Sequence, residues 1–343
     1  MVQRRINEET KMTEKNKLKI LYILEMMKKT DENHPINSSQ IVAKLKAQGI
    51  EVERKSISRV LDCLEEAGYS IVKCENHNLG WYMVEQEFEN YEVKLLADAV
   101  AAAKFLTLKD SRKLIKKLKG LATTDGEKLI DATTYIDPTT KMEDGKFKII
   151  YDTILRAIAG RKQIRFQYYE LGSGNKKVLR KDGRVYQVSP YYMILAEEQY
   201  YLIGNLAEYD NPVNFRIELI TNLEITEEKI RPMEEVELLN KISSSYTVGD
   251  YIRESVHMWS GETTDVKLRC DSECRHDILK KFGSKASIRE DREGYFIARV
   301  KVSEAPGFYQ WLASYGKHIV IQSPQSMREQ YVDYLKQTLQ CYE

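Results

Sequence analysis

The stretch 189-SPYYMILAEEQYYLIGNLAEYDNPVNFRIELI-220 decides how the chain is read. Two apolar-aromatic runs, Tyr191 to Ala196 and Tyr200 to Ile203, flank a short polar turn, and Asp210-Asn211-Pro212 then turns the chain into Val213 to Ile220. This spacing predicts a β-hairpin followed by a third strand. Side chains alternate along a strand, so Phe215, Ile217 and Leu219 are expected on one face and Arg216 with Glu218 on the other. A cation on a strand among stackable rings suits an anion or a nucleotide, although half-buried sheet tyrosines beside a solvated arginine would read the same way.

Upstream, the spacing predicts a helix over Lys148 to Ala159 with Ile149, Ile150, Thr153, Ile154, Ala157 and Ile158 on one side, ending at Gly160. Strands follow. Ile164, Phe166 and Tyr168 alternate with Arg165, Gln167 and Tyr169, Gly172-Ser173-Gly174 turns the chain, and Lys176 to Arg180 and Arg184 to Tyr192 continue the pattern. One helix feeding five short bent strands over 148–232 is the plan of a small Sm/SH3-like β-barrel.

Ser189-Pro190, then Tyr200-Tyr201-Leu202 after the hairpin turn, then Phe215-Arg216-Ile217-Glu218 with Ile220 resemble the WYL domain, whose Trp-Tyr-Leu tripeptide precedes an arginine-bearing strand. The tripeptide's Trp is Tyr200 here, and the second arginine usual in that strand is Leu219. With its flanking modules the whole chain resembles the bacterial WYL-domain transcriptional regulators. The resemblance implies a ligand-sensing domain whose effectors are nucleotides or single-stranded nucleic acid. The residue chemistry agrees: Arg165, Arg180, Arg184 and Arg216 are candidate phosphate donors, Tyr168, Tyr191 and Tyr200 candidate stacking faces, and Ser189 belongs to the motif. Leu219 removes one cation, which predicts a ligand held more by stacking than by phosphate contacts.

Residues 1–88 read as a winged helix-turn-helix. Leu18, Leu21, Tyr22 and Met26 mark a first helix, Ser38 is positioned to cap a second with Ile41, Val42 and Leu45 inside, and Glu53 to Ala67 forms a third around Ile57, Val60, Leu61 and Leu64. Tyr69 to Cys74 and Gly80 to Val84 alternate around a polar loop as a hairpin wing. The third helix of this motif enters the major groove, which makes Arg54, Lys55, Ser56, Ser58 and Arg59 candidate DNA contacts, with Lys73 and His77 on the wing. A protein-docking module with a solvated basic face is the alternative; the concentration of basic residues at the helix start, with Glu65 and Glu66 at its end, favours DNA.

Residues 89–147 read as a helical connector, with small residues at Ala101 to Ala103 suited to close helix approach in a dimerisation bundle or against a neighbouring domain. The polar stretch from Thr123 to Gly145 is expected to be a linker and hinge. Residues 233–343 open with short helical segments and then give a βαββαβ order, including a last helix capped by Ser323, which resembles the ferredoxin-like extension often attached to WYL domains.

At 343 residues the chain is long enough for two or three domains at about 150 residues each. A net charge of +1 means that any nucleic-acid contact must come from local patches. The N-terminus lacks the apolar core of a signal peptide, and no apolar run is long enough to span a bilayer, so a cytoplasmic protein is expected. The five cysteines are odd in number and scattered; Cys270, Cys274 and His276 lie close together but lack a fourth metal ligand at a familiar spacing. No nucleophile elbow, P-loop, HExxH or dinucleotide fingerprint is present, which argues against an enzyme and against a cofactor. The sequence thus predicts an α+β multidomain regulator, a homodimer that binds a double-stranded DNA operator and answers to a nucleotide or single-stranded nucleic-acid effector, with no membrane partner. The alternative is an accessory protein that binds single-stranded RNA or DNA for a defence or repair system.

Overall fold

The structure is a computed structural model that describes residues 18–76, 78–172, 174, 176–242 and 245–343. The chain divides into two compact units, Met1–Glu143 and Asp144–Glu343.

The first unit begins with a helix over 18–27 (α1), followed by α2 (Ser38–Ala47) and α3 (Arg54–Glu66). Their apolar faces meet in a core where Ile23, Met27, Ile41, Leu45 and Ile57 are fully buried. The cap of α2 is Asn37, one residue before the expected Ser38. Its side chain accepts the Gln40 backbone N–H at 3.0 Å while the Gln40 side chain accepts the Asn37 N–H at 2.9 Å, a reciprocal box that a serine one residue later cannot make. Strands β1 (Ile71–Lys73) and β2 (Trp81–Met83) pair antiparallel, and Ile36 bridges to Trp81 through N–H to O bonds of 2.9 Å in both directions. That bridge requires Gly80: its φ is +99°, and a Cβ there would lie 2.0 Å from the Ile36 carbonyl oxygen.

Helices α4 (Asn90–Ala102), α5 (Leu108–Lys119) and α6 (Thr124–Thr133) follow. Val93, Ala97 and Ala101 of α4 are buried against Ile115, Ala122 and Ile130, so these small residues serve packing within the chain. The Thr123 to Gly145 stretch is not a bare linker. It holds α6, capped by Thr123, and Lys141 donates to the Ala101 and Ala103 carbonyls at 2.7 Å each, closing the C-terminal end of α4. Lys29 of the α1 turn donates to Gly120 O at 2.9 Å, Ala122 O at 2.8 Å and Glu127 at 2.5 Å, fastening the three-helix head to this connector.

The second unit opens with α7 (Phe147–Gly160), whose Ile150, Ile154 and Ala157 are buried while Ile149 stays 70% exposed. The left-handed residue ending α7 is Arg161 at φ 49°, not Gly160. Strands β3 (Lys162–Leu171), β4 (Lys177–Leu179), β5 (Val185–Ala196), β6 (Gln199–Leu206), β7 (Val213–Arg216) and β8 (Ile220–Lys229) form one antiparallel sheet in the order β4-β3-β5-β6-β7, with β8 returning to pair with β3. The runs expected as two strands, Arg184 to Tyr192 and Tyr191 to Ala196, are the single strand β5, bent where the register shifts between Pro190 and Tyr192. The third strand of the opening stretch is shorter than expected: β7 stops at Arg216, and Ile217–Leu219 make a 3-10 turn that swings the chain into β8.

The segment from Met233 to Met258, which carries α8 (Val248–Glu254), packs on this sheet through Val236, Leu238, Leu239 and Tyr251 against Tyr191 and Ile203. Beyond it come β9 (Thr263–Asp271), α9 (Arg275–Phe282), β10 (Ser287–Glu290), β11 (Tyr295–Ser303), α10 (Pro306–Ala313), β12 (Ile319–Ser323) and α11 (Gln325–Gln340). This βαββαβ chain makes an antiparallel sheet ordered β10-β11-β9-β12, with its helices over one face and a core of Leu268, Phe296, Ala298, Phe308 and Leu312. Helix α11 starts after Pro324, without the expected side-chain cap from Ser323.

Candidate functional site

On α3, the buried stripe of Ile57, Val60, Leu61 and Leu64 leaves Arg54, Lys55, Ser58 and Arg59 on the solvent side. Arg54 donates to Ser39 on α2 at 2.5 Å, and the Ser56 hydroxyl donates to the Glu53 carbonyl at 2.9 Å, so these two brace the helix start. Lys55 and Arg59 have no ion-pair partner among the described residues. Lys73 is exposed on β1 with its ammonium 5.7 Å from the Trp81 ring centre, and His77 lies outside the described residues.

Of the residues expected to form a ligand site on the central sheet, Arg216, Tyr168, Arg180 and Arg184 lie around one aromatic cluster, whereas Tyr200, Tyr191 and Ser189 are engaged elsewhere. Phe215 is buried and Arg216 exposed, as alternation requires. Arg216 pairs in register with Tyr201, whereas Tyr200 turns to the other side and packs on Phe147 and Tyr151 of α7 at ring distances of 5.7 and 5.2 Å. The aromatic neighbour of Arg216 is therefore Tyr201, a residue that the cross-strand register identifies and the strand pattern alone does not. The Arg216 guanidinium lies 2.5 Å from Glu218, whose second carboxylate oxygen is buried with no partner among the described residues.

Tyr168 and Tyr191 are only 8% and 5% exposed, so neither offers a free face to a base. Tyr168 sits among Phe166, Tyr186 and Phe215, and its hydroxyl accepts the Arg216 backbone N–H at 2.9 Å; burial pushes this phenol up to about 12. The Tyr191 hydroxyl donates to the Arg231 carbonyl at 2.8 Å, and the Ser189 hydroxyl accepts the Arg231 N–H at 3.0 Å. Ser189 and Tyr191 thus pin the chain where it leaves β8. Each of the other arginines has a carboxylate partner: Arg165 faces Glu224 across two paired strands at 3.8 Å, Arg180 in the turn after β4 meets Glu170 at 3.9 Å, and Arg184 meets Glu208 of the loop after β6 at 2.6 Å.

Residues 150–225 match the model of the WYL domain, and residues 262–339 match that of the WCX domain. The chain therefore carries a WYL domain and a WCX domain. Among solved structures it is similar to proteasome accessory factor B/C (PafBC) of Arthrobacter aurescens, at 14% identity and a TM-score of 0.28 over 95% of this chain and 49% of that one. It is also similar to a CRISPR Cas-related protein, at 16% identity and a TM-score of 0.36 over 95% of this chain and 84% of that one. The chain thus spans about half the length of the PafBC chain. No curated protein matches.

Where α7, β5 and the end of β8 meet, a cavity of about 590 Å³ that Arg216 does not line is walled by Tyr191, Tyr192, Ile230 and Met233 and rimmed by Arg161 and Lys229. Sequence reading missed these two cations, because they flank strand ends outside the motif. The WYL and WCX domains are joined by a polar clasp at the β5–β6 turn. Glu197 accepts from Lys281 of α9 at 2.9 Å and lies 2.8 Å from His257; burial alone would raise its carboxyl, but these two partners hold it below the ordinary value. Both turn residues, Glu197 and Glu198, have positive φ (49° and 64°), the geometry that two-residue hairpin turns usually fill with Asn-Gly. In the WCX core, burial pushes the Cys270 thiol up to about 12, and Cys274 is buried beside it. Among the described residues no helix is long and apolar enough to cross a membrane.

Proposed function

We propose that the chain is a DNA-binding transcriptional regulator. In this reading residues 1–88 are a winged helix-turn-helix head with α3 as recognition helix, the WYL sheet is a small Sm- or SH3-like barrel that senses a nucleotide or single-stranded nucleic acid, and the WCX domain is a ferredoxin-like extension. It acts as a cytoplasmic homodimer on an operator whose half-sites mirror the two-fold axis. The observation that carries this is the solvent face of α3, where Lys55, Ser58 and Arg59 stand exposed opposite a fully apolar stripe, with no acid engaging the two cations among the described residues.

The ligand side is a competition. Arg216 is held by Glu218, so an anion must draw the guanidinium away from that carboxylate, and the exchange would move the turn that joins β7 to β8. Selection from a random duplex pool with the full chain tests the head: enrichment of a defined sequence is expected, and a pool that stays random contradicts the assignment. In the same assay Arg216→Gln is expected to keep duplex binding and lose the response to added nucleotide or single strand. Loss of both would make Arg216 a structural residue.

A further inference from the structure

The arginines of the WYL sheet are each met by a carboxylate, whereas the open side of the WCX sheet carries cations that are not. Val266, Leu268 and Cys270 of β9 and Phe296, Ala298 and Val300 of β11 point into the core, which turns Lys267 and Arg269, and Tyr295 and Arg299, toward the side away from α9, α10 and α11, where α8 meets only the Arg299 end. Arg289 of β10 joins them, alternating with the core-facing Ile288. In register, Arg299 stands opposite Lys267, and Ile297 lies between Arg289 and Arg269.

Like charges directly opposite across a ladder are unfavourable, yet among the described residues none of Lys267, Arg269, Arg289 or Arg299 has a carboxylate within ion-pairing distance. Two acids flank the cluster on this face: Asp265, opposite Lys301, lines a cavity with Arg299, and Asp271, opposite Tyr295, is engaged by His318 at 2.7 Å. Arg269 and Arg292 lie over the Tyr295 ring at 5.1 and 4.9 Å, so their planar forks are held in place before any ligand arrives. Ile297 is only 8% exposed on this open side, consistent with cover from the arginine stems on either side of it.

We propose that this face binds single-stranded nucleic acid, with Lys267, Arg269, Arg289 and Arg299 meeting phosphates and Tyr295 acting as a positioning residue for Arg269. Charge selects a polyanion. A four-stranded antiparallel sheet with cations and a ring on its two central strands offers splayed bases a flat surface and guanidinium planes on which to stack, whereas a duplex presents its phosphates on a convex cylinder. The site is separate from Arg216 and does not depend on the reading of the WYL domain as a sensor.

The test is fluorescence anisotropy of the full chain with labelled oligo-dT and oligo-U of about 20 nucleotides, somewhat beyond a single-domain footprint, across a salt series. The variant Arg269→Gln with Arg299→Gln, checked for unchanged melting, is expected to bind tenfold or more weakly, with a salt slope smaller by about 1.4, because each lost single-strand phosphate contact removes about 0.7. Tyr295→Phe should bind like the wild type and Tyr295→Leu several-fold more weakly, since the ring and not the hydroxyl holds the arginine. Unchanged affinity and slope in the arginine variant would overturn the proposal. So would single-strand binding that survives in that variant and vanishes in Arg216→Gln, which would assign the strand to the WYL domain, or poly-L-glutamate displacing the oligomers equally well charge for charge, which would assign the face to an acidic protein.

Discussion

Tyr168 stands in the sequence as one more alternating strand tyrosine, and its position decides the geometry of the most conspicuous cation in the WYL motif. Its ring is buried in an aromatic cluster, and its hydroxyl satisfies the Arg216 N–H at the residue where β7 gives way to a turn. Removing that acceptor leaves a backbone donor unpaired beside Arg216. Tyr168→Phe should therefore lower stability by about 1 kcal/mol in urea denaturation while leaving duplex binding unchanged. An unchanged midpoint would mean that solvent replaces the hydroxyl without cost. The same residue marks a limit of sequence reading: alternation places Tyr168 on a face, but whether that face is open depends on Phe166, Tyr186 and Phe215 arriving from three strands. The carboxylate partners of Arg165, Arg180 and Arg184 were hidden for a related reason, since Glu224, Glu170 and Glu208 reach them through strand pairing and loops that sequence spacing does not encode.

Among the elements, those fixed by local pattern were legible and those fixed by tertiary contact were not. The stripe of Ile57, Val60, Leu61 and Leu64 places α3 correctly, because 3.6-residue periodicity and burial there tell one story. The polar Thr123 to Gly145 stretch misled because α6 owes its place to a single deeply buried side chain, Ile130, and to the Lys29 contacts of a distant turn. Helix α8 is a similar case, short and held by polar anchoring. Its Asp250 is 3% exposed, accepts the Thr247 N–H at 2.8 Å and the Lys285 ammonium at 2.6 Å, and is met by Arg253. Burial alone would raise this carboxyl; Lys285, Thr247 and Arg253 outweigh it and hold it far below the usual carboxylate range. The unfolded carboxyl protonates near its ordinary value, so the stabilisation is complete above about pH 5 and drains away as the pH falls below about 4. Asp250→Asn should cost about 1.5–3 kcal/mol at pH 7, the range for charged hydrogen bonds, and flatten the loss of stability on acidification. Parallel pH profiles of melting for variant and wild type would refute this role.

For the whole molecule, the order of modules was readable and their seams were less so. The WYL and WCX matches cover most of the central sheet and the C-terminal domain, and the segment from Met233 to Met258 between them packs on the WYL sheet through Val236, Leu239 and Tyr251 and meets the C-terminal domain where Lys285 engages Asp250. Its short 3-10 turns carry no periodic signal, so sequence pattern gives it no partner on either side. The proposed regulator rests on duplex binding by α3, a local patch on a chain of net charge +1. The most direct measurement is the salt dependence of duplex affinity for the wild type and for Lys55→Ala with Arg59→Ala. Neutralising a duplex phosphate contributes about 0.9 to the slope of log affinity against log salt, so the double variant is predicted to bind more weakly with a slope smaller by about 1.8. Identical affinities and slopes across the series would contradict the assignment of α3 as the DNA-contacting helix.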